Sequence, residues 1–229
     1  GLSVDGGTIK LDGNYPVGTA NVALGDTALD SVDAAGNYNV AIGAAAGTAI
    51  TTGDNNTFIG TSSGAATTTP NSNTAVGSQS LAANTLGAGN VAMGVGALAV
   101  NTTASFNTAI GYSSLDANTT GASNVAIGRD ALGANTTASN NTAVGYQAMY
   151  SNVTGTSNVA VGRTALYSNT ASSNTAVGID AMIDNTSGAS NSAFGQVALG
   201  DNTTGSFNVA VGVQALRAST TASNNTAVG

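Results

Sequence analysis

Asn141–Gly145 reads NTAVG, and the chain is built on the recurrence of that pentad. It returns as NVALG at Asn21, NVAIG at Asn39, NTFIG at Asn56, NTAVG at Asn73, NVAMG at Asn90 and NTAIG at Asn107. It continues as NVAIG at Asn124, NVAVG at Asn158, NTAVG at Asn174, NSAFG at Asn191, NVAVG at Asn208 and NTAVG at Asn225. These are thirteen copies, and from Asn39 the step is 17 residues except between Asn158 and Asn174, where it is 16. A unit this short cannot bury a core alone, so a constant period means coils of one chain stacked on one another.

The unit Asn107–Ser123 runs NTAIG, YSSLDA, NTTGAS. By the period of two in an extended segment, Thr108 and Ile110 share one face and Ala109 takes the other. The fourth pentad position is always Val, Ile, Leu, Met or Phe, so it is expected to face a core. The third is Ala in all copies but Phe58, a size limit that points to the close approach of another backbone or chain. Four residues after the pentad Gly comes a second apolar anchor, from Leu29 and Leu81 to Leu216, broken only by Gly47 and Gly64. The polar return carries a second Asn column at Asn84, Asn101, Asn118, Asn135, Asn152, Asn169, Asn185 and Asn202. Anchors at this spacing followed by Asn, Thr and Gly do not make a helical stripe. The pattern predicts an all-β parallel β-solenoid, or β-roll, over 21–229. Its pentad Gly residues sit at bends that need an unusual φ or a close backbone approach. Asn side chains in register, such as Asn73, Asn90, Asn107, Asn124, Asn141 and Asn158, are expected to hydrogen-bond along the stack as amide ladders. Residues 1–20 lie outside the repeat and read as an N-terminal cap or a joint to an upstream segment. Two anchors per coil enclose a thin core and leave the Ala-lined strand face over, so packing as a homotrimer around that face is expected.

Composition narrows the function classes. Of 229 residues only 7% are charged, the acids are all Asp, and net charge is −7 with four Lys and Arg, too few for a nucleic-acid surface. The absence of His and Cys removes the usual Ser-His, Cys-His and thiolate arrangements. The longest apolar run, Val91–Val100, is well short of the ~20 residues that span a bilayer, so no membrane insertion is expected. The chain starts without Met and stops inside a repeat, which reads as a piece of something longer.

The units SNVAIG (123–128) and SNVAVG (157–162) resemble the repeats in the heads of trimeric autotransporter adhesins. The longer unit NTAVGYQAMYSNVTG, 141–155, is similar to repeats of phage tail fibres and large bacterial fibre proteins, some of which end in a chaperone-type endosialidase domain. The resemblance covers 21–229 and implies a left-handed parallel β-roll with three chains per rod. Here the unit is longer than in adhesin heads, so the return is expected to bulge. On the resemblance, the expected role is the structural shaft of a phage tail fibre, located on the virion and presenting a receptor-binding tip for host attachment. A bacterial cell-surface trimeric adhesin head is the alternative. The expected partners are two further copies and, through regions outside this sequence, a host surface glycan or receptor. A monomeric ice-binding solenoid is a second alternative, since Thr102, Thr119, Thr136 and Thr203 stack on the return, though not in a flat TxT strand.

No catalytic constellation and no cofactor motif stand out, and the chain is not expected to be an enzyme. Asp30 with Asp33, and Asp180 with Asp184, read as solvated turn carboxylates rather than an acid–base pair. An ion at Asp26, Asp30 and Asp33 is a further option, though Asp recurs at no fixed place in the repeat. One surface column is more particular. The residue after the pentad Gly is Tyr112, Arg129, Tyr146 and Arg163 in four consecutive coils, spacing that suits a cation–π ladder. Tyr150 and Tyr167 make a second pair four residues further along those coils. The strip is a candidate contact for a glycan or receptor, set against the simpler option that the side chains cover one another.

Overall fold

The computed structural model describes residues 17–229. The cap expected over 1–20 lies mostly outside them. Thirteen strands of three residues, β1 (Val22–Leu24) to β13 (Thr226–Val228), form one parallel sheet in chain order, each strand being the middle of one pentad. Pairing is in register throughout, as in Thr108 with Val125, Ala109 with Ala126 and Ile110 with Ile127 between β6 (Thr108–Ile110) and β7 (Val125–Ile127). The chain is an all-β parallel solenoid, at the ~4.8 Å strand spacing a rod roughly 60 Å long. Backbone bonds between coils are not confined to the strands: Leu81 N–H donates to Ala97 O at 2.9 Å and Ala83 N–H to Ala99 O at 3.0 Å.

The strand facing is the reverse of that expected from the sequence. The Ala side chains of the third pentad position, Ala41 to Ala210, are fully buried inside their own coil, and Phe58 with them. The fourth position points outward and is nowhere buried, with Ile110 and Ile127 each 37% exposed. The Asn at the first position decides this. Its amide is buried in the coil, and by the period of two the third position must lie on its side and the fourth on the other. The core is completed by the Leu and Met anchors, by Ala or Ser just before them, and by both Asn columns. The strand's Ala face is therefore already covered, and the argument that a trimer must cover it fails.

The two Asn columns are wired differently. In the first, the side-chain oxygen accepts the backbone N–H of the next pentad Asn: Asn90 onto Asn73 at 2.9 Å, with Asn107, Asn124, Asn141 and Asn158 continuing at 3.0 Å each. The same amides donate to a carbonyl at the end of the return, as Asn124 does to Ala138 at 2.8 Å and Asn141 to Gly155 at 2.9 Å. In the second column the amides bond mainly to each other, Asn118 to Asn101 at 3.0 Å and Asn135 to Asn118 at 2.8 Å. Each also holds a carbonyl two or three residues on, as Asn118 holds Gly121. The single 16-residue coil loses its residue from the return: Asn169 reaches Ala171 O two residues on, whereas Asn152 reaches Gly155 O three residues on.

The exceptions in the repeat compensate one another. Phe58 is the only large side chain in the Ala column, and its ring fills the space left where Gly47 and Gly64 replace the anchor. A Cβ on Gly47 would lie 2.8 Å from the ring and one on Gly64 2.5 Å from it. Removing the ring alone leaves a cavity, so Phe58→Ala is expected to cost about 3–5 kcal/mol in urea unfolding. Adding Gly64→Leu should recover part of that loss; a further loss would show that the two sites do not share one space.

The pentad Gly is required twice over. Gly111 has φ +135°, and a Cβ there would lie 2.6 Å from the carbonyl oxygen of Gly128 in the next coil. Gly96 also has positive φ, +70°, but its nearest obstacle is a serine hydroxyl at 3.5 Å. Gly111→Ala should thus cost well over the ~1 kcal/mol expected of Gly96→Ala, as read by denaturant midpoints. Equal effects would remove the steric argument.

Candidate contact strip

The backbone aims the sixth coil position outward. Gly in the fifth position bends the chain, and the seventh, as at Ser113, Asp130, Gln147 and Thr164, is left-handed with φ near +50°. The side chain between these two bends stands off the rod: Tyr112 is 56% exposed and Tyr146 44%.

Arg129 lies between the two rings, its guanidinium carbon 5.7 Å from the Tyr112 centroid and 5.9 Å from that of Tyr146. At an exposed site such contacts are worth about 0.5–1 kcal/mol. Arg129 Nε also donates to Asp130 at 3.2 Å. Arg163 does not continue the ladder. Its Nη2 donates to Asp180 of the next coil at 3.0 Å, and the Thr164 hydroxyl donates to the same carboxylate. Tyr150 and Tyr167 stack on each other, centroids 5.5 Å apart and planes at 13°. The Tyr150 ring lies against Gly133, where a Cβ would meet it at 2.9 Å.

Asp130 and Gly133 complete the strip and do not stand out in the linear sequence, whereas Asp180, expected there as a solvated turn carboxylate, is the partner of Arg163. The carboxylates become visible once charges are compared one coil apart, since Asp130 and Asp180 both take the seventh position beside the sixth-position column. Asp116 lies on the border. Burial pushes its carboxyl above the usual range, an effect the Ala117 N–H opposes and the Asp130 charge reinforces.

The other candidates do not assemble into a site. Asp26, Asp30 and Asp33 are exposed, Asp33 accepts the Ala35 N–H at 2.8 Å in a turn, and among the described residues no group of three acidic side chains is placed to hold a metal. Asp180 is taken by Arg163, while Asp184 is exposed. Three of the four stacked Thr hydroxyls are taken up along the stack: Thr102 donates to Thr119 O at 3.2 Å, Thr119 to Thr136 O at 3.1 Å and Thr203 to Thr220 O at 3.0 Å. No helix among the described residues is long and apolar enough to cross a membrane.

Compared with protein families, with curated proteins and with solved structures, the chain matches none of them.

The raised pKa of Asp116 gives a signed prediction. The folded state holds this proton more tightly, so stability falls as pH rises from the ordinary carboxylate pKa through the raised one. Asp116→Asn is therefore expected to raise the melting temperature at pH 7 and to give no gain at pH 3, where both forms are neutral. A gain of equal size at both pH values would show that charge is not the cause.

Proposed function

We propose that this chain is the structural shaft segment of a homotrimeric fibre, of the phage tail-fibre kind, holding a receptor-binding tip away from its base. The observation that carries the reading is the outward strand column. Leu24, Ile59, Met93, Ile110, Ile127, Val161, Phe194, Val211 and Val228 are all exposed, at one position in coil after coil. With the neighbouring column of Val, Thr and Ser this makes a flat face of roughly 400 Å², within the about 300–600 Å² of the largest patch on a typical monomer, which is often functional.

Further exposed apolar residues border the strands: Tyr38, Phe106 and Phe207 before the pentad Asn, and Val95, Ile179 and Val213 after the pentad Gly. Covering this side with identical rods removes it from water along the full length. Packing about an axis parallel to the rod keeps every copy pointing the same way, as a shaft with one tip requires. The number three, the virion location and host attachment rest on the resemblance of the repeats to tail-fibre and adhesin units. A bacterial surface adhesin head shares this physics and stands as the alternative owner. The inward side of each coil is filled by packing and amide groups, so we assign the chain no catalysis, cofactor, nucleic acid or membrane insertion.

Light scattering tests the reading directly. The expected particle is near three times 21.9 kDa. Ile110→Asp with Ile127→Asp, both at outward positions, should reduce it to one chain while leaving the solenoid's circular dichroism intact. A native mass of one or two chains would overturn the trimer. A single chain would also leave the Val and Thr strand face open to water, and thermal hysteresis of ice growth would then be the activity to measure.

A further inference from the structure

We propose that identical rods meet edge to edge in one fixed register. The column before the pentad Asn of one copy packs, coil for coil and without stagger, against the column after the pentad Gly of the next. This rests on the fibre reading above, which covers the outward strand face, and adds which edges meet, which residues pair and how the copies are aligned. The two columns border that face on opposite sides, since the strand of each coil lies between them. Phe106, Phe207 and Val213 on these edges are 68%, 62% and 63% exposed, well above the 37% of Ile110 and Ile127 on the strands.

Unstaggered pairing matches the two edges chemically. Tyr38 of one copy meets Ala44 of the next, Phe106 meets Tyr112 and Phe207 meets Val213, so each large apolar group of the first column faces an apolar one. The Phe106 ring lies back over Gly89, where a Cβ would be 2.9 Å from it, and so also reaches toward Val95 of the preceding coil. Arg129 and Arg163 face Ser123 and Ser157, exposed hydroxyls that leave room for a guanidinium. A slip of one coil spoils the match. Moving one coil back sets Tyr38 against Asp26 and Phe207 against Gln196; moving one coil on sets Tyr38 against Thr61 and Phe106 against Arg129.

The same pattern fixes the direction of the copies. Rotation about an axis parallel to the rod brings unlike edges together and permits no axial shift, so unstaggered pairing is what a closed ring requires. An antiparallel twofold would instead set one edge against its own reverse. Tyr38, Phe106 and Phe207 stand in the coils of β2 (Val40–Ile42), β6 and β12 (Val209–Val211), and these uneven intervals superpose on no reversal. The uneven spacing acts as a key: edges alike in every coil would pair at any offset, whereas these reward one.

The chain has no cysteine, so engineered pairs read the contact directly. Phe106→Cys with Tyr112→Cys, treated as assembled protein with a short thiol-bridging reagent, is expected to give covalent trimers on a denaturing gel. Within one chain the two sites lie across a strand, roughly 15–20 Å apart and beyond such a bridge. Each single-cysteine variant should stay as one chain, as should Phe106→Cys with Ile179→Cys, whose coils are well separated along the rod. Should loss of both rings prevent folding, Ser157→Cys with Arg163→Cys, at exposed polar positions, should join in the same way. Joining of a single-cysteine variant or of the separated pair would overturn the edge pairing and leave the fibre reading standing. So would failure of both same-coil pairs in protein with the native mass of three chains. A native mass of two chains with same-coil joining would overturn the threefold reading alone, and a mass of one chain would overturn both.

Discussion

The buried amide of the pentad Asn is the interaction on which the rest of the rod depends. It accepts the backbone N–H of the next coil and donates to the carbonyl that ends its own return, so one side chain both closes a coil and locks it to its neighbour. Taking so many amides out of water is costly unless every polar atom finds a partner. Here nearly all do; of the three exceptions among the described residues, Asn135 Oδ1 lies within an unbroken column, where the Asn152 amide donates to Gly155 O alone, and the other two fall at breaks in the pattern. Asn202 ends its column because the next coil carries Ser219, and its side-chain oxygen has no partner. Thr67, sitting where later coils place Asn, leaves its hydroxyl unpaired. A ladder of this kind gives each coil its stability mainly through the next, the expected behaviour of a one-dimensional stack.

The same amide sets the parity of the strand. With Asn inward, Ala must be inward and Val or Ile outward, and the small size of Ala is then a limit on coil thickness rather than a sign of a neighbouring chain. Strand position, parallel register, the coil period and the buried Asn columns were all legible in the sequence, because each follows from a repeat of fixed step. Hydrophobicity alone puts Val and Ile in the core and so gives the wrong facing; parity decides it, because the Asn ladder and a Val core cannot share one face. The coupling of Phe58 to Gly47 and Gly64 was visible only as three separate exceptions. It needs the knowledge that third-position and anchor side chains meet inside one coil.

The contact strip was legible to the same degree and for the same reason. Column spacing placed Tyr112, Arg129 and Tyr146 together, and Tyr150 with Tyr167, whereas Arg163 was drawn out of line by Asp180, a carboxylate in the next coil. Backbone strain was hidden altogether. Leu115, Leu132 and their equivalents adopt left-handed φ near +51°, a conformation costing about 1–2 kcal/mol for a residue with a Cβ. Sequence preference argues against it, and only burial of the anchor together with its inter-coil hydrogen bond makes it stable.

These constraints divide the coil into two kinds of position. The inward ones admit little beyond Asn, Ala, Ser, Leu and Met, because a change there alters the thickness of the coil or unpairs an amide. The sixth and tenth positions carry no such duty: the sixth runs through Asp, Ala, Thr, Ser, Val, Tyr, Arg, Ile and Gln without disturbing the register. Side chains placed there stand on a backbone fixed by hydrogen bonds on both sides, so their mutual spacing is that of the stack and not of a loop. Rigid placement lowers the ordering cost of meeting a ligand with the same repeat. A rod whose inside is fixed and whose outside is free can therefore gain a contact surface without any change in fold, and the coils from Tyr112 to Tyr167 are where this chain has its aromatic and cationic side chains in reach of one another.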